Sequence, residues 1–332
     1  MAVTLKEVAE LAGVSRSAVS RTFTEGASVS TKTRQKVEKA AARLGYQPNA
    51  LASSLTTGRT KLIGLISNNF HNPIFLEVFD LFTRGLQNRG LRPLLVNLSD
   101  EDKPEDTVRL LQQYSVDGAI VASSTLPPAF PRAFRDAGIP VVHSFGRFSS
   151  TPDVHIVGID NVECGRIVAR AFLERGFDHV CFLGGPEDAT STQDRMKGFV
   201  EVIANDPSIK LTTTFASAYS FDAGRVEMTK QLMTDPAQAY FCGDDVLSIG
   251  ALSAAQSIGL RIPDDVSIVG LNDMQMARWE NIALTTIHQP IAEIIETSIE
   301  VVVDLLEAPG KLVQTRLFPC HLVERKTLRR RS

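Results

Sequence analysis

The chain has 332 residues and 36.2 kDa, with 43% hydrophobic and 22% charged residues, which excludes a disordered or fibrous protein and leaves room for two domains and a small third. No run of about eighteen uninterrupted apolar residues exists, so no membrane-spanning helix is expected. Lys6, Glu7 and Glu10 place charge where a secretion signal needs its apolar stretch, so a cytoplasmic location is expected. The net charge of −3 is uneven. Residues 1–61 hold ten Lys/Arg against four Glu, a net of +6, and the remainder holds 25 basic against 34 acidic residues, a net of −9. A basic head on an acidic body points to a polyanion that meets the head alone.

Leu5, Val8, Ala9 and Ala12 fall at i, i+3, i+4 and i+7, the apolar stripe of a short helix. Thr4 precedes it as N-cap, Glu7 completes a capping box, and Gly13 ends it. After Val14 in the turn, Ser15 caps a second helix through Arg16, Ser17, Ala18, Val19, Ser20 and Arg21. Helix, glycine-containing turn and helix form a helix-turn-helix pattern. On the second helix Ala18 and Val19 offer packing surface, while Arg16, Ser17, Ser20 and Arg21 project hydrogen-bonding groups. An arginine there can grip guanine O6 and N7, and serines serve phosphates or base edges. A third helix from Thr31 to Leu44, capped by Ser30 and stopped by Gly45, closes a small core with Val37, Ala40, Ala41 and Leu44. A helical hairpin that docks on another protein is the alternative reading of this head.

Pro48 closes off the third helix, and Asn49 can cap a short one through Ala50, Leu51, Ala52, Ser53, Ser54 and Leu55, before the linker Thr56, Thr57 and Gly58. Seven residues do not hold an isolated helix in water, so this piece is expected to order only on DNA or against a partner copy. A plain flexible linker is the alternative. The segments VTLKEVAELAGVSRSAVSRTF and VSTKTRQKVEKAAARLGYQPNALASSL resemble the head of the lactose-repressor (LacI/GalR) family of bacterial transcription regulators, densely over about sixty residues and more loosely over nearly all of the rest. The resemblance implies a hinge helix that enters the minor groove, with Leu55 as the wedging leucine. The DNA-contacting residues so nominated are Thr4, Ser15, Arg16, Ser17, Ser20 and Arg21 in the head, and Asn49, Ala52 and Leu55 in the hinge.

From Lys61 onward, apolar runs of strand length alternate with helical patterns. Strands are predicted at 62–67, 93–98, 118–123, 140–145 and 155–160, and again at 179–185, 212–217, 239–243 and 266–271. Helices are predicted near 74–89, 103–114, 128–137 and 162–175, then near 191–204, 222–234, 245–258 and 291–307. Strand-helix alternation implies parallel sheets, and the mid-chain restart suggests two doubly wound lobes. The expected organisation is therefore α/β: a helix-turn-helix domain over 1–46, a hinge helix and linker over 47–60, and a two-lobed body over 61–332 like type I periplasmic binding proteins. One lobe is expected over about 61–160 with a C-terminal return from about 291, the other over about 161–290.

Ligands of such lobes bind at the carboxyl ends of the strands. That nominates Asn68 to Asn72, Ser123, Ser124, Arg147, Asp160, Asp244 and Asn272. The resemblance narrows the effector pocket to Asn72, Phe75, Ser123, Arg147, Arg195, Tyr219, Asp244, Asn272 and Gln289. HNPIF places Phe75 as a stacking aromatic, FGR places Arg147, DRMKGF places Arg195 at the ligand-reaching arginine, and LTTIHQP places Gln289. Two positions depart from the family. Asp244-Asp245 stands where Asn-Asp is usual, and Asn272-Asp273 where Asp-Asp is usual, so a carboxylate is gained at 244 and lost at 272. Arg147 and Arg195 can together hold a carboxylate or phosphate, unless Asp244 or Asp160 holds Arg195 as a structural pair. A neutral sugar or polyol, a sugar acid, and a purine or other ligand all remain open.

No GxSxG, P-loop or GxGxxG follows any strand, so no enzyme is expected and no cofactor is implied. Cys164, Cys181, Cys242 and Cys320 form no CxxC and HExxH is absent, so buried free thiols are expected and no metal site. Helix-turn-helix regulators read two half-sites, which predicts a homodimer on a near-palindromic operator. The final LVERKTLRRRS carries no heptad that would drive tetramers. The function expected is a sequence-specific DNA-binding regulator, a repressor controlled by a small sugar-like effector. The alternative is a sugar-binding module without a regulatory DNA role.

Overall fold

The first helix, α1 (Leu5–Ala12), begins in a closed capping box. The Thr4 N–H and hydroxyl both donate to Glu7 Oε2, at 2.7 and 2.8 Å, and Thr4 Oγ1 accepts from the Glu7 N–H. Gly13 ends it in the left-handed region at φ 63°. Ser15 Oγ accepts from the Ala18 N–H at 3.2 Å to start α2 (Arg16–Phe23), and Ser30 caps α3 (Thr31–Leu44), which stops at Gly45. Val8, Ala9, Val19, Val37, Ala40 and Ala41 form the buried core of this bundle. Arg34 donates to the Thr22 carbonyl at 2.8 Å, tying α3 to the second helix.

The computed structural model describes residues 3–24, 26–47, 54, 58–99 and 103–331. They fall into two units, Met1–Lys61 and Leu62–Ser332. The hinge residues Asn49, Ala52 and Leu55 lie outside the described residues.

The second unit holds two sheets. The first is built from β1 (Leu62–Ser67), α4 (Ile74–Asn88), β2 (Arg92–Asn97), α5 (Pro104–Gln113), β3 (Gly118–Ala122), α6 (Ala129–Asp136), β4 (Val141–Ser144) and β5 (His155–Ile159). The chain then crosses to α7 (Asn161–Leu173), β6 (His179–Gly184), α8 (Thr190–Ile203), β7 (Lys210–Phe215), α9 (Phe221–Thr234), β8 (Ala239–Cys242), α10 (Asp245–Ser257), β9 (Ser267–Asn272) and β10 (Thr285–His288). It returns through α11 (Ile291–Glu307) and β11 (Thr315–Phe318) before β12 (His321–Val323). Sheet orders are β2-β1-β3-β4-β5-β11 and β7-β6-β8-β9-β10-β12, parallel throughout except for β10 against β12. The same winding occurs twice, each lobe completed by a strand from the C-terminal segment.

Two expectations need correction. Nine strands were anticipated, and β10, β11 and β12 are additional. TTIH of β10 carries two threonines and reads as polar. It is buried all the same, because the Thr286 hydroxyl donates to Asp245 and Thr285 Oγ1 accepts from the Arg325 N–H. β11 and β12 are four- and three-residue strands at the sheet edges, too short to show a period. The return from 291 also does not stay in the first lobe. α11 and β11 pack there, but β12 joins the second sheet, and Thr327 exchanges hydrogen bonds with Ile268. Three crossovers therefore connect the lobes, after β5, after β10 and after β11.

Helix pairs in the second lobe pack backbone to backbone. A Cβ on Gly198 of α8 would lie 1.8 Å from the Val162 carbonyl oxygen of α7, and one on Gly165 2.1 Å from the Arg195 carbonyl oxygen. Gly224 and Gly250 seal α9 against α10 in the same way, with a Cβ on Gly250 2.1 Å from the Phe221 carbonyl oxygen. Gly198→Ala is expected to destabilise the protein by about 1–3 kcal/mol in urea denaturation. Gly310→Ala, where an added methyl meets nothing within 4 Å, should leave the midpoint unchanged.

Candidate functional site

In the first unit, α2 presents Arg16, Ser17 and Arg21 to solvent and Ser20 in part, while Val19 and Thr22 are buried below. No acidic residue lies in its first turn, so the positive end of the helix dipole is not offset there, an arrangement that favours phosphate. Ser15 Oγ lies 2.9 Å from Ser17 Oγ, so both hydroxyls are oriented at that end. Thr4 is exposed, but its hydroxyl is engaged by Glu7, whose carboxyl is held below its usual range by the Thr4 N–H and hydroxyl.

In the second unit the carboxyl ends of the two sheets meet across a narrow cleft that opens to solvent. β1 and β3 flank the point where the winding of the first sheet reverses, and β6 and β8 do so in the second. The cleft is lined from the first lobe by Asn69, Asn72, Ile74, Phe75, Val78, Ser124 and Phe145, and from the second by Arg195, Tyr219, Asp244 and Asn272, with Gln289 and Ile291 from the second crossover.

Asp244 organises the polar half. Its Oδ1 accepts from the Val246 N–H at 2.8 Å, capping α10. Its Oδ2 accepts from Asn72 Nδ2 of the opposite lobe at 3.0 Å and from Asn272 Nδ2 at 2.8 Å. Burial raises its pKa, and the Val246 N–H, the Arg195 charge and both asparagines oppose that rise. One lone pair of Oδ1 is left to accept a ligand hydroxyl. The carboxylate gained at 244 and the amide gained at 272 are thus the two ends of a single hydrogen bond.

Arg195 is buried on α8. Its Nε donates to Asn161 Oδ1 at 2.8 Å and one terminal nitrogen to the Gly243 carbonyl, which leaves the other terminal nitrogen for the cleft. Neither Asp244 nor Asp160 holds it directly; Asp160 Oδ1 instead caps α7 through the Val162 and Glu163 N–H groups. Tyr219 exchanges a 2.6 Å hydrogen bond with Thr192, and its ring lies so close to Gly185 that a Cβ there would be 2.4 Å away. Phe75 and Phe145 supply aromatic walls. Phe145 and Asn272 both have positive φ, 63° and 123°, so backbone strain falls on two residues of the cleft.

Of the post-strand residues, Asn68, Phe70, His71 and Asp160 do not line it, and of the narrowed effector set Ser123 and Arg147 do not. Ser123 spends its hydroxyl on Asn68 Oδ1 at 2.8 Å and on the Thr125 and Leu126 N–H groups. Its carbonyl accepts from His143, whose pKa burial pushes down to about 4, so this imidazole is neutral. The neighbouring Ser124 faces the cleft in its place, and its carbonyl accepts from Thr190 Oγ1 at 2.9 Å across the lobes. Arg147 is ion-paired with Asp194 of the other lobe. The two arginines therefore do not converge on one anion, because a carboxylate of the protein already occupies Arg147. Ile74, Val78, Phe145 and Ile291 went unread in the sequence as lining residues. All four are apolar and look like ordinary core positions, and Phe145 stands at the end of the predicted strand 140–145.

Behind the cleft, Asp245 is fully buried and accepts from the Thr286 hydroxyl at 2.5 Å and the Met274 N–H at 2.9 Å. Against the cost of its burial, Asp273 is held below its usual range by Arg325 and His288, with the Arg278 charge adding to this. Among the described residues no cluster of His, Cys, Asp and Glu could hold a metal, and no helix is long and apolar enough to cross a membrane.

Residues 4–49 match the family model for bacterial regulatory proteins of the lacI family, and residues 169–328 match a periplasmic binding protein-like domain. The chain is 31% identical to the HTH-type transcriptional repressor PurR of Vibrio vulnificus (strain CMCP6), over 98% of this chain and 99% of that protein. To PurR of Escherichia coli O139:H28 it is 30% identical, over 98% and 96%. Among solved structures, the lac repressor dimer bound to operator and the anti-inducer ONPF superposes with a TM-score of 0.87 at 25% identity, covering 98% of this chain and 99% of that one. The transcriptional regulator CelR in complex with cellobiose superposes with a TM-score of 0.72 at 26% identity, with coverages of 98% and 99%.

Burial, reinforced by Asp244 and Asp273, pushes Asp245 up to about 7. Between about pH 4 and pH 7 the native chain then keeps a proton that the unfolded chain has released, so this group's contribution to stability falls as pH rises through that window and levels off above it. Urea denaturation at a series of pH values should show the wild type losing stability relative to Asp245→Asn from about pH 4 to pH 7. A difference that stays constant with pH would overturn this assignment.

Proposed function

The chain belongs to the lacI family of bacterial regulatory proteins and is a DNA-binding transcriptional repressor, not an enzyme, and on that premise we propose that a small, neutral, multiply hydroxylated effector of the sugar or polyol class binds in the inter-lobe cleft and sets its operator affinity. One observation carries this reading: the cleft sets a single cation, Arg195, beside a single carboxylate, Asp244, with Asn69, Asn272 and Gln289 amides around them and Phe75 and Phe145 as walls. Such a lining has no excess positive charge for a sugar acid, and it offers both donors and acceptors to hydroxyls. The cellobiose held by CelR favours the same class.

The head reads the operator through α2 in this proposal. Arg16 and Arg21 contact bases or phosphates, Ser15, Ser17 and Ser20 fix the helix start and its phosphates, and in the hinge Asn49 and Ala52 contact DNA while Leu55 serves as the minor-groove wedge. The functional unit is a homodimer on a near-palindromic site, as for the lac repressor dimer on its operator. Coupling follows from differential binding: the effector prefers one arrangement of the lobes and DNA prefers one of the hinges. We take the effector to act as an inducer.

The test is a thermal-shift screen of the purified chain against neutral sugars, polyols, sugar acids and purines. A ligand at about a hundred times its Kd stabilises the native state by about 2.7 kcal/mol, well within reach of the method. Neutral sugars or polyols should score, the shift should vanish in Arg195→Ala and persist in Arg147→Ala, and both variants should still bind DNA. A response confined to sugar acids or purines would overturn the effector class. For the head, Arg16→Ala should relax base preference at one operator position by about 1–3 kcal/mol. A loss uniform across sequences would make Arg16 a phosphate contact.

A further inference from the structure

Among the described residues, Arg147 and Asp194 are each other's only ion-pair partner, and both adjoin the cleft in the chain without lining it. Arg147 follows Phe145 by two residues in the loop after β4. That loop is closely seated, for Phe145 takes φ 63° and a Cβ on Gly146 would lie 2.6 Å from the His143 ring. Asp194 directly precedes Arg195 on α8 and lies past the first turn, so it neither caps that helix nor complements its dipole. Its side chain is 10% exposed, against 37% for Arg147. A carboxylate at that depth persists only with a cation beside it, so the two residues form a neutral unit.

We propose that Asp194 is a specificity-determining residue: by neutralising Arg147 it makes the cleft refuse anionic ligands and reserves it for uncharged sugars or polyols. This rests on the sugar-class reading of the cleft and adds the residue that enforces it. Inside the cleft the one arginine, Arg195, is matched by the one carboxylate, Asp244. Arg147 without its partner would add a positive charge at the rim, on the segment that supplies Phe145, and a carboxylate entering between the lobes would be drawn to it. Asp194 cancels that charge at its source. A neutral sugar is indifferent to a cancelled pair, whereas a sugar acid loses the one cation there that no carboxylate of the cleft already matches. The pair also spans the two lobes, so its loss alters closure. Closure acts on acid and neutral ligands alike and cancels in the ratio of their affinities.

The test uses the full chain and a panel of hexoses, pentoses and sugar alcohols, each titrated calorimetrically beside the sugar acid derived from it: glucose with glucuronate, galactose with galacturonate, arabinose with arabinonate, sorbitol with gluconate. For each pair the ratio of the two Kd values is read. In the wild type the neutral member should bind more tightly. Asp194→Asn should shift the ratio at least about fivefold toward the acid, as one uncompensated charge near a carboxylate does. That shift should shrink as salt rises from about 0.05 to about 0.5 M. Asp194→Glu, which keeps the charge, should keep the wild-type ratio, and Asp194→Asn combined with Arg147→Gln should restore it. A ratio unmoved in Asp194→Asn, or a shift that survives the loss of Arg147, would overturn the role of Asp194 and leave the neutral-sugar reading standing. A wild type that binds the acid more tightly, or a panel that binds neither wild type nor variants, would overturn both.

Discussion

A buried carboxylate shared between two lobes is the constraint around which the cleft is arranged. Asp244 caps α10, accepts from Asn72 across the cleft and from Asn272 beside it, and stands close enough to Arg195 to be stabilised by its charge. An ion in a protein interior persists only when its hydrogen-bonding capacity is nearly filled, and here three N–H donors leave one acceptor site for a ligand. Closure of the lobes is therefore written into the ionisation of one side chain. The Ser124 carbonyl with Thr190, and Arg147 with Asp194, add inter-lobe bonds at the rim.

The pair at 244 and 272 follows the same constraint. The resemblance read from the sequence implies an amide at the first position and an acid at the second, whereas this chain has the acid at 244 and the amide at 272, and Asn272 Nδ2 donates to Asp244 Oδ2 at 2.8 Å. Two carboxylates at that separation would repel, and two amides would leave Asn72 without an anionic acceptor. The negative charge of the cleft therefore stands at the start of α10 and not at the end of β9.

Much of the fold was legible because local chemistry and tertiary structure agree. Thr4 with Glu7, Gly13, Ser15, Ser30 and Gly45 bound three helices that packing then closes, and α11 occupies the span its apolar pattern implied. Strand ends at β1 and β8 led to Asn69, Asn72 and Asp244 through topology alone. Legibility failed where a residue's partner lies far along the chain. Nothing near Arg147 announces Asp194, and nothing near Ser123 announces the buried His143 that fixes its carbonyl. β10 was missed because its threonines are satisfied by a carboxylate and a backbone N–H forty residues or so away, so a polar string lies in a sheet core. Phe145 reads as one more core aromatic, and only its left-handed backbone distinguishes it.

The glycine contacts between α7 and α8 have a consequence for how this molecule can change its ligand. Gly165 meets the carbonyl of Arg195, and Gly198 lies one turn further along the same helix, so the arginine's backbone is seated by helix packing rather than by the loops of the cleft. Drift in Asn69 or Gln289, which lie between helices and strands, can reshape the chamber without parting any helix pair. Drift in the seat of the arginine cannot occur without parting two helices. Divergence of specificity in this lineage should therefore run through the loops of the first lobe and the second crossover, with the guanidinium kept as a fixed datum against which new ligands are measured.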